Sequence, residues 1–367
     1  ELGKGVGTVA MIGILGIMML IVAILALVVV NALAESPWGL FTIAMTLPIA
    51  IIMGIWMRFI RPGRIGEASI FGFIMLMLAL WGGHYVAADP YWADVFTISP
   101  VNLAFITIGY GFVAAILPVW LLLAPRDYLS TFLKIGVIFA MALVIVYLGI
   151  GDFAGNQNIQ VAMPMVTKFT DGTGPVFAGK LFAFLCITIA CGAISGFHAL
   201  ISSGTSPKML EKETHAKMVG YGSMLMESAV GVMALIAAII ITPDLYFAIN
   251  VAPAGLGTAE AISAARSAGE VFGVFQGEAS QSYLAGIKAA AASINAFAGD
   301  IIKITPEMIE QNILAFTKEV GEPSILSRTG GAPTFALGFA VLISKMPSLE
   351  GTMAFWYHFA ILFEALF

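Results

Sequence analysis

Apolar residues gather in blocks near residues 6–33, 38–58, 66–88, 101–123, 132–150, 181–203 and 216–242, and an eighth block opens near residue 352. A bilayer core of about 30 Å takes roughly 20 helical residues to cross, and each of the first seven blocks is of that order. The pattern predicts a transmembrane helical core over residues 1–242 with about seven spans, and the start of a further transmembrane helix over 351–367. Arg58, Arg61 and Arg64 follow the second block, Arg126 and Lys134 flank the turn after the fourth, and Lys208, Lys212 and Lys217 follow the sixth. Lys and Arg concentrate in cytoplasmic loops, so these connections are expected to face the cytoplasm, with Glu1 on the same side.

Residues 243–331 break the rhythm, carrying nine acids and five bases. They are expected to form a long periplasmic helical loop, with short helices over the alanine-rich stretches 257–269 and 283–298. Thr305, Pro306 and Glu307 read as a helix start: an N-cap, a proline at the first helical position and an acid in the first turn. The apolar core over 335–343 is too short to cross, so residues 332–350 are expected to be re-entrant or interfacial.

Composition fixes the class that the blocks suggest. With 60% hydrophobic and 11% charged residues and a mean hydropathy of +0.97, the chain cannot hide its apolar side chains in a soluble core. Globular proteins carry about a quarter charged residues. The fold class is thus an all-α polytopic membrane protein, with the lipid bilayer as its first partner. Nucleic acid is disfavoured, because Lys and Arg total 17 and form no basic block. Cys186 and Cys191 lie inside one apolar block and behave as small hydrophobes. The chain opens at Glu1 without an initiator Met and stops at Phe367 inside the apolar pattern FWYHFAILFEALF, so both ends are expected to be truncated.

Two blocks carry residues that a lipid anchor would not. LFAFLCITIACGAISGFHALISSGTSPK, over 181–208, holds Gly192, Ser195, Gly196, His198, Ser202 and Ser203, all of which forfeit apolar burial. Gly192 and Gly196 are spaced as a small-xxx-small helix contact, and hydroxyls with an imidazole beside loosened backbone suit an intramembrane binding site. GYGFVAAILPVWLLLAPRDYLS places Gly109, Gly111, Pro118 and Pro125 along another block, so a kink at Pro118 is expected. Pro48 predicts a similar bend in the second.

His198 is ten residues from Lys208 and Glu227 ten from Lys217, which places each about 15 Å from the cytoplasmic face on consecutive spans. Burial moves both pKa values toward neutrality, so this pair is the candidate proton carrier. A structural hydrogen bond that only ties two helices together is the alternative. His358 and Glu364 share the last apolar block, while His84 beside Trp81 and Tyr85 reads as an interfacial belt position and His215 as a solvated loop residue. Arg126 and Asp127 read as a pair at the cytoplasmic rim. There is no HExxH, no CxxC and no GxSxG with a plausible triad, so no enzyme, metal site or cofactor is expected.

RPGRIGEAS, IGYGFVAAILPVWLLLAPRDYLSTFLKIG, CGAISGFHALISSGTSPK, GYGSMLME, GEPSI with GGAPT, and AFWYHFAILFEALF together resemble the carbon starvation protein A family over nearly the whole chain. Those proteins are bacterial inner-membrane carriers of peptides and, for some members, pyruvate. The resemblance implies further helices at both ends and an inverted-repeat core of five-plus-five helices with unwound first and sixth helices, as in amino acid, polyamine and organocation carriers. In one register the 101–123 block matches the unwound sixth helix and 181–203 the eighth; in the other, 181–203 is the sixth. The cargo is then peptide or pyruvate, and the coupling ion H⁺ or Na⁺, with Ser202, Ser203 and Thr205 as the oxygen ligands for Na⁺. Oligomeric state is left open. On chemistry, the substrate site is expected between the two broken blocks, lined by Gly109, Gly111, Ser195, His198, Ser202 and Ser203, with His198 and Glu227 coupling the proton. An intramembrane enzyme or a scaffold subunit of a larger complex is the rival class.

Overall fold

The structure is a computed structural model that describes residues 3–153, 161, 168–171, 179–194, 202–250, 306–322, 325, 328, 330–347, 349 and 351–366, except for residues 35, 63, 119 and 205. Among these residues every regular element is helical. Five stretches are long and apolar enough to cross a membrane: Lys4–Leu33, Pro37–Ile60, Ile65–Ala88, Leu123–Gly151 and Glu213–Ile240. A bent pair, Pro90–Phe96 with Pro100–Ile116, makes a sixth if it counts as one broken span.

Helix α1, Lys4–Leu33, is about 45 Å long at the usual rise and turns most of its apolar side chains outward. Only Val30, Ala32 and Leu33 at its end enter the core. A helix satisfies its own backbone groups, so such a surface suits lipid. The α2 helix, Pro37–Ile55, starts where the Ser36 hydroxyl accepts the Gly39 N–H at 3.2 Å and Pro37 takes the first turn. Pro48 lies inside α2 without ending it, and a π-helical turn over Trp56–Ile60 follows. Alongside runs α3, Ile65–Ala88. The two pack closely because Gly83 has no side chain where the Trp38 ring lies; a Cβ there would overlap the indole.

The short α4, Pro90–Phe96, is capped by the Asp89 carboxylate, and α5, Pro100–Ile116, leaves it at a bend of 65°. The expected span over 101–123 is shorter than its apolar block. Leu117 has ψ 148, the extended conformation that a following proline imposes, so Pro118 ends α5 instead of kinking it. The next helix, α6, Leu123–Phe153, starts early enough to take in Arg126 and Lys134. After it come α7, Leu181–Ile194; a single turn, Ser206–Met209; α8, Ala216–Ile240; and α9, Pro243–Asn250. The alanine-rich stretches expected to be helical, 257–269 and 283–298, lie outside the described residues.

A helix does begin at Pro306: α10, Pro306–Val320, buries Ile313, Thr317 and Val320 along one stripe and leaves Gln311, Lys318 and Glu319 exposed. Beyond it, α11, Gly331–Ser344, has 14 residues, fewer than a crossing takes, and residues 332–340 are all buried. It lies against α8 at Gly338, where a Cβ would strike the Ala237 main chain. The last helix, α12, Met353–Leu366, packs against α11, α1, α2, α3, α6 and α10, which makes it the centre of the described fold.

Candidate functional site

The carboxylate of Glu322 is enclosed, with its side chain 1% exposed. Its position follows from how α10 ends. Gly321, at φ 72, adopts the left-handed conformation; its N–H reaches Lys318 O and the Glu322 N–H reaches Thr317 O, both at 3.3 Å. This is a Schellman close, which turns the chain and aims Glu322 inward. Arg328 Nη2 donates to Glu322 Oε2 at 2.9 Å, and the Ser36 hydroxyl donates to Oε1 at 2.7 Å. The α2 cap residue is therefore joined to a linker 286 positions away. Burial pushes the Glu322 carboxyl above the ordinary carboxylate range, while the Arg328 guanidinium and the Ser36 hydroxyl pull it back.

His358, on α12, completes the group. Its Nδ1 lies 3.6 Å from Glu322 Oε1, beyond hydrogen-bond reach. The main chain of Val320 also faces the ring. Trp38 stacks on His358 with centroids 4.0 Å apart and an interplanar angle of 21°, and donates its indole N–H to Leu80 O at 2.9 Å. The exposed His84 tilts against that indole at 5.3 Å. Tyr357 is fully buried and faces the Arg328–Glu322 pair. A buried ion pair gains little net stability over apolar packing of the same volume. An arrangement of this kind can exchange hydrogen-bond partners or protons.

Two residues past Arg328 the linker meets a cavity of about 400 Å³ lined by Gly330, Gly331 and Thr334 of the α11 start, Tyr246 and Asn250 of α9, and Ala234 of α8, among others. Asn250 Nδ2 donates to Thr334 Oγ1 at 2.8 Å, and the Thr334 hydroxyl lies 3.1 Å from Gly330 O. Near the opposite end of α2, Arg126 turns away from Asp127: its Nη1 donates to the Tyr110 hydroxyl, its guanidinium lies 4.7 Å over the Tyr110 ring, and its Nε reaches Thr46 Oγ1 at 3.4 Å.

The residues chosen from the sequence are placed elsewhere. Gly109 and Gly111 lie on an exposed face of α5 with open space where a side chain would stand. Ser202 and Ser203 are exposed in a short helical turn, and Glu227 is exposed on α8. Ser195, Gly196 and His198 lie outside the described residues. Among the described residues, α5 packs chiefly on α1, and α7 on the Lys168–Asp171 turn. Sequence reasoning passed over Ser36, Trp38, Glu322 and Arg328. The available signal was the Val-Gly-Glu ending of an amphipathic helix, which aims an acid toward an apolar neighbourhood.

Helices of this length and apolarity, closed around an ion pair, define a polytopic all-α membrane protein with a polar centre. The chain belongs to the carbon starvation protein CstA family, whose description matches residues 1–285 and 278–367. It is a multi-pass protein of the bacterial inner membrane. Over its whole length it is 57% identical to the peptide transporter CstA of Campylobacter jejuni, 52% identical to the pyruvate/proton symporter BtsT of Escherichia coli and 50% identical to the peptide transporter CstA of Mycobacterium tuberculosis. It covers 46%, 48% and 43% of those proteins, so the chain spans about half the length of the curated relatives it matches. No solved structure matches it.

Proposed function

We propose that this chain forms part of a secondary active transporter that brings peptides or pyruvate across the inner membrane by proton symport and leaves the cargo chemically unchanged. The observation that carries the reading is the Glu322–Arg328 pair with His358, sealed among apolar helices. Ionisable groups in such surroundings are costly and mark ion or substrate pathways. Relatives named for peptide transport and for pyruvate/proton symport support it. A proton is the fitting driving ion for a monoanion, since an interior at −100 mV opposes anion entry by about 2.3 kcal/mol per charge and one proton cancels that term.

On this reading the orientation follows the basic connections, with Ser206 cytoplasmic, and the five-plus-five inverted repeat is the expected plan. The face of α5 around Gly109 and Gly111, beside the helix break at Pro118, remains the substrate wall proposed from sequence, together with Ser195, His198, Ser202 and Ser203. His198 and Glu227 are the rival coupling pair. Uptake of labelled pyruvate and dipeptides into proteoliposomes holding the full-length protein tests the function. Accumulation of unaltered solute under an acid-outside pH gradient is expected. Release of a chemically changed product, or uptake that ignores the pH gradient and requires sodium, would replace the reading.

A further inference from the structure

Glu322 stands between two bases. Its Oε2 holds Arg328 at 2.9 Å, and its Oε1, held by Ser36, lies 3.6 Å from the buried Nδ1 of His358. A movement of about 1 Å closes that gap to a charge-assisted hydrogen bond. We propose that these residues couple a proton to a carboxylate: a proton taken up by the Glu322–His358 pair releases Arg328 to bind the carboxylate of the transported solute. The proposal rests on the transport reading and supplies it with a coupling centre.

The argument is one of charge balance in a closed space. With His358 neutral, Glu322 and Arg328 cancel. A proton alone leaves one positive charge buried, and a carboxylate alone leaves one negative charge; each is disfavoured. Proton and carboxylate together restore neutrality, with Glu322 facing a protonated imidazole and Arg328 facing the solute. Whichever member of the pair holds the proton, Glu322 no longer neutralises Arg328 in full. Nothing is oxidised or transferred covalently; the proton enters from water and leaves to water when the solute departs. Among the described residues, the titratable groups that face the pair include Arg328 on the same linker, Tyr357 beside His358 on α12, and His84 on α3 next to Trp38, while α2 contributes the Ser36 hydroxyl and α10 the Val320 main chain. Trp38, stacked on His358 at 4.0 Å, keeps the imidazole within 3.6 Å of the carboxylate, close enough to exchange a proton after a small movement.

The test uses purified full-length protein with pyruvate as probe. Wild type should take up one proton per pyruvate bound, and its apparent affinity should fall about tenfold for each pH unit over which the pair is unprotonated. Glu322→Gln, which fixes the neutral side chain, should bind pyruvate with an affinity that changes by less than about twofold from pH 6 to pH 8. Arg328→Gln should lose binding at either pH. Wild-type binding with no proton uptake overturns the proposal without any variant, so poor folding of a variant leaves it testable. A Glu322→Gln protein that keeps the wild-type pH dependence overturns it as well and leaves transport intact. If wild type moves neither pyruvate nor dipeptides in vesicles, the transport reading itself fails and the proposal goes with it.

Discussion

Helices α5 and α12 are both short and apolar, yet they do opposite things. In α5, only Leu103 and Ala114 of 17 residues are buried. Most of α12 is enclosed, from Met353 and Tyr357 to Ala365, with six other helices around it. In water the two would have to differ in composition, because exposed apolar surface is penalised. Lipid tails are as apolar as a protein core, so in a membrane chain hydrophobicity does not separate a core helix from a surface one. Buried polar groups do. The α12 helix carries His358 against Trp38 and Glu322, whereas Gly109 and Gly111 of α5 look into open space.

The largest effect expected from this contrast is at the ion pair. Arg328→Ala leaves the Glu322 charge buried without its guanidinium, a change that costs about 3–5 kcal/mol when one member of a buried pair is removed. Thermal unfolding of the full-length protein in detergent should show it as a large drop in Tm. A Tm within error of wild type would mean that the linker is solvated. A smaller effect separates the glycines. Gly338→Ala forces a Cβ into the Ala237 main chain and should cost about 1–3 kcal/mol. By comparison Gly111→Ala meets nothing within 4 Å on the exposed α5 face and should be neutral or stabilising by up to about 1 kcal/mol, as alanine is the better helix former. Equal Tm shifts for the two variants would erase the distinction between the buried and open faces.

Much of the helical plan can be read from the sequence for a simple reason: a membrane leaves the backbone little choice but to satisfy its own hydrogen bonds. The Thr305-Pro306-Glu307 start, the too-short block over 335–343 and the break near Pro118 are likewise local chemistry. What local chemistry cannot show is which break matters. Pro118 ends a helix, whereas Pro48 passes inside one, because α2 continues through it into a π turn. The polar centre is hidden for another reason. Ser36, Trp38, Glu322, Arg328 and His358 come from the start of one helix, the linker after another and the middle of a third, so no window of sequence holds more than two of the charged members. Glu322 and Arg328 also sit in a stretch whose nine acids and five bases look like solvated loop. His198 and Glu227, by contrast, stand out because each interrupts an apolar block. Sequence draws attention to isolated polar residues in apolar runs, and the fold builds its enclosed charge from residues that looked ordinary.

The most direct comparison sets the two carboxylates side by side. Glu322→Gln and Glu227→Gln in the full-length protein should be assayed together for pyruvate accumulation under an acid-outside pH gradient. With coupling at the buried centre, Glu322→Gln should bring pyruvate only to its equilibrium level while Glu227→Gln still concentrates it. Concentration by Glu322→Gln and loss of concentration in Glu227→Gln would contradict the account and return the coupling role to the exposed position on α8.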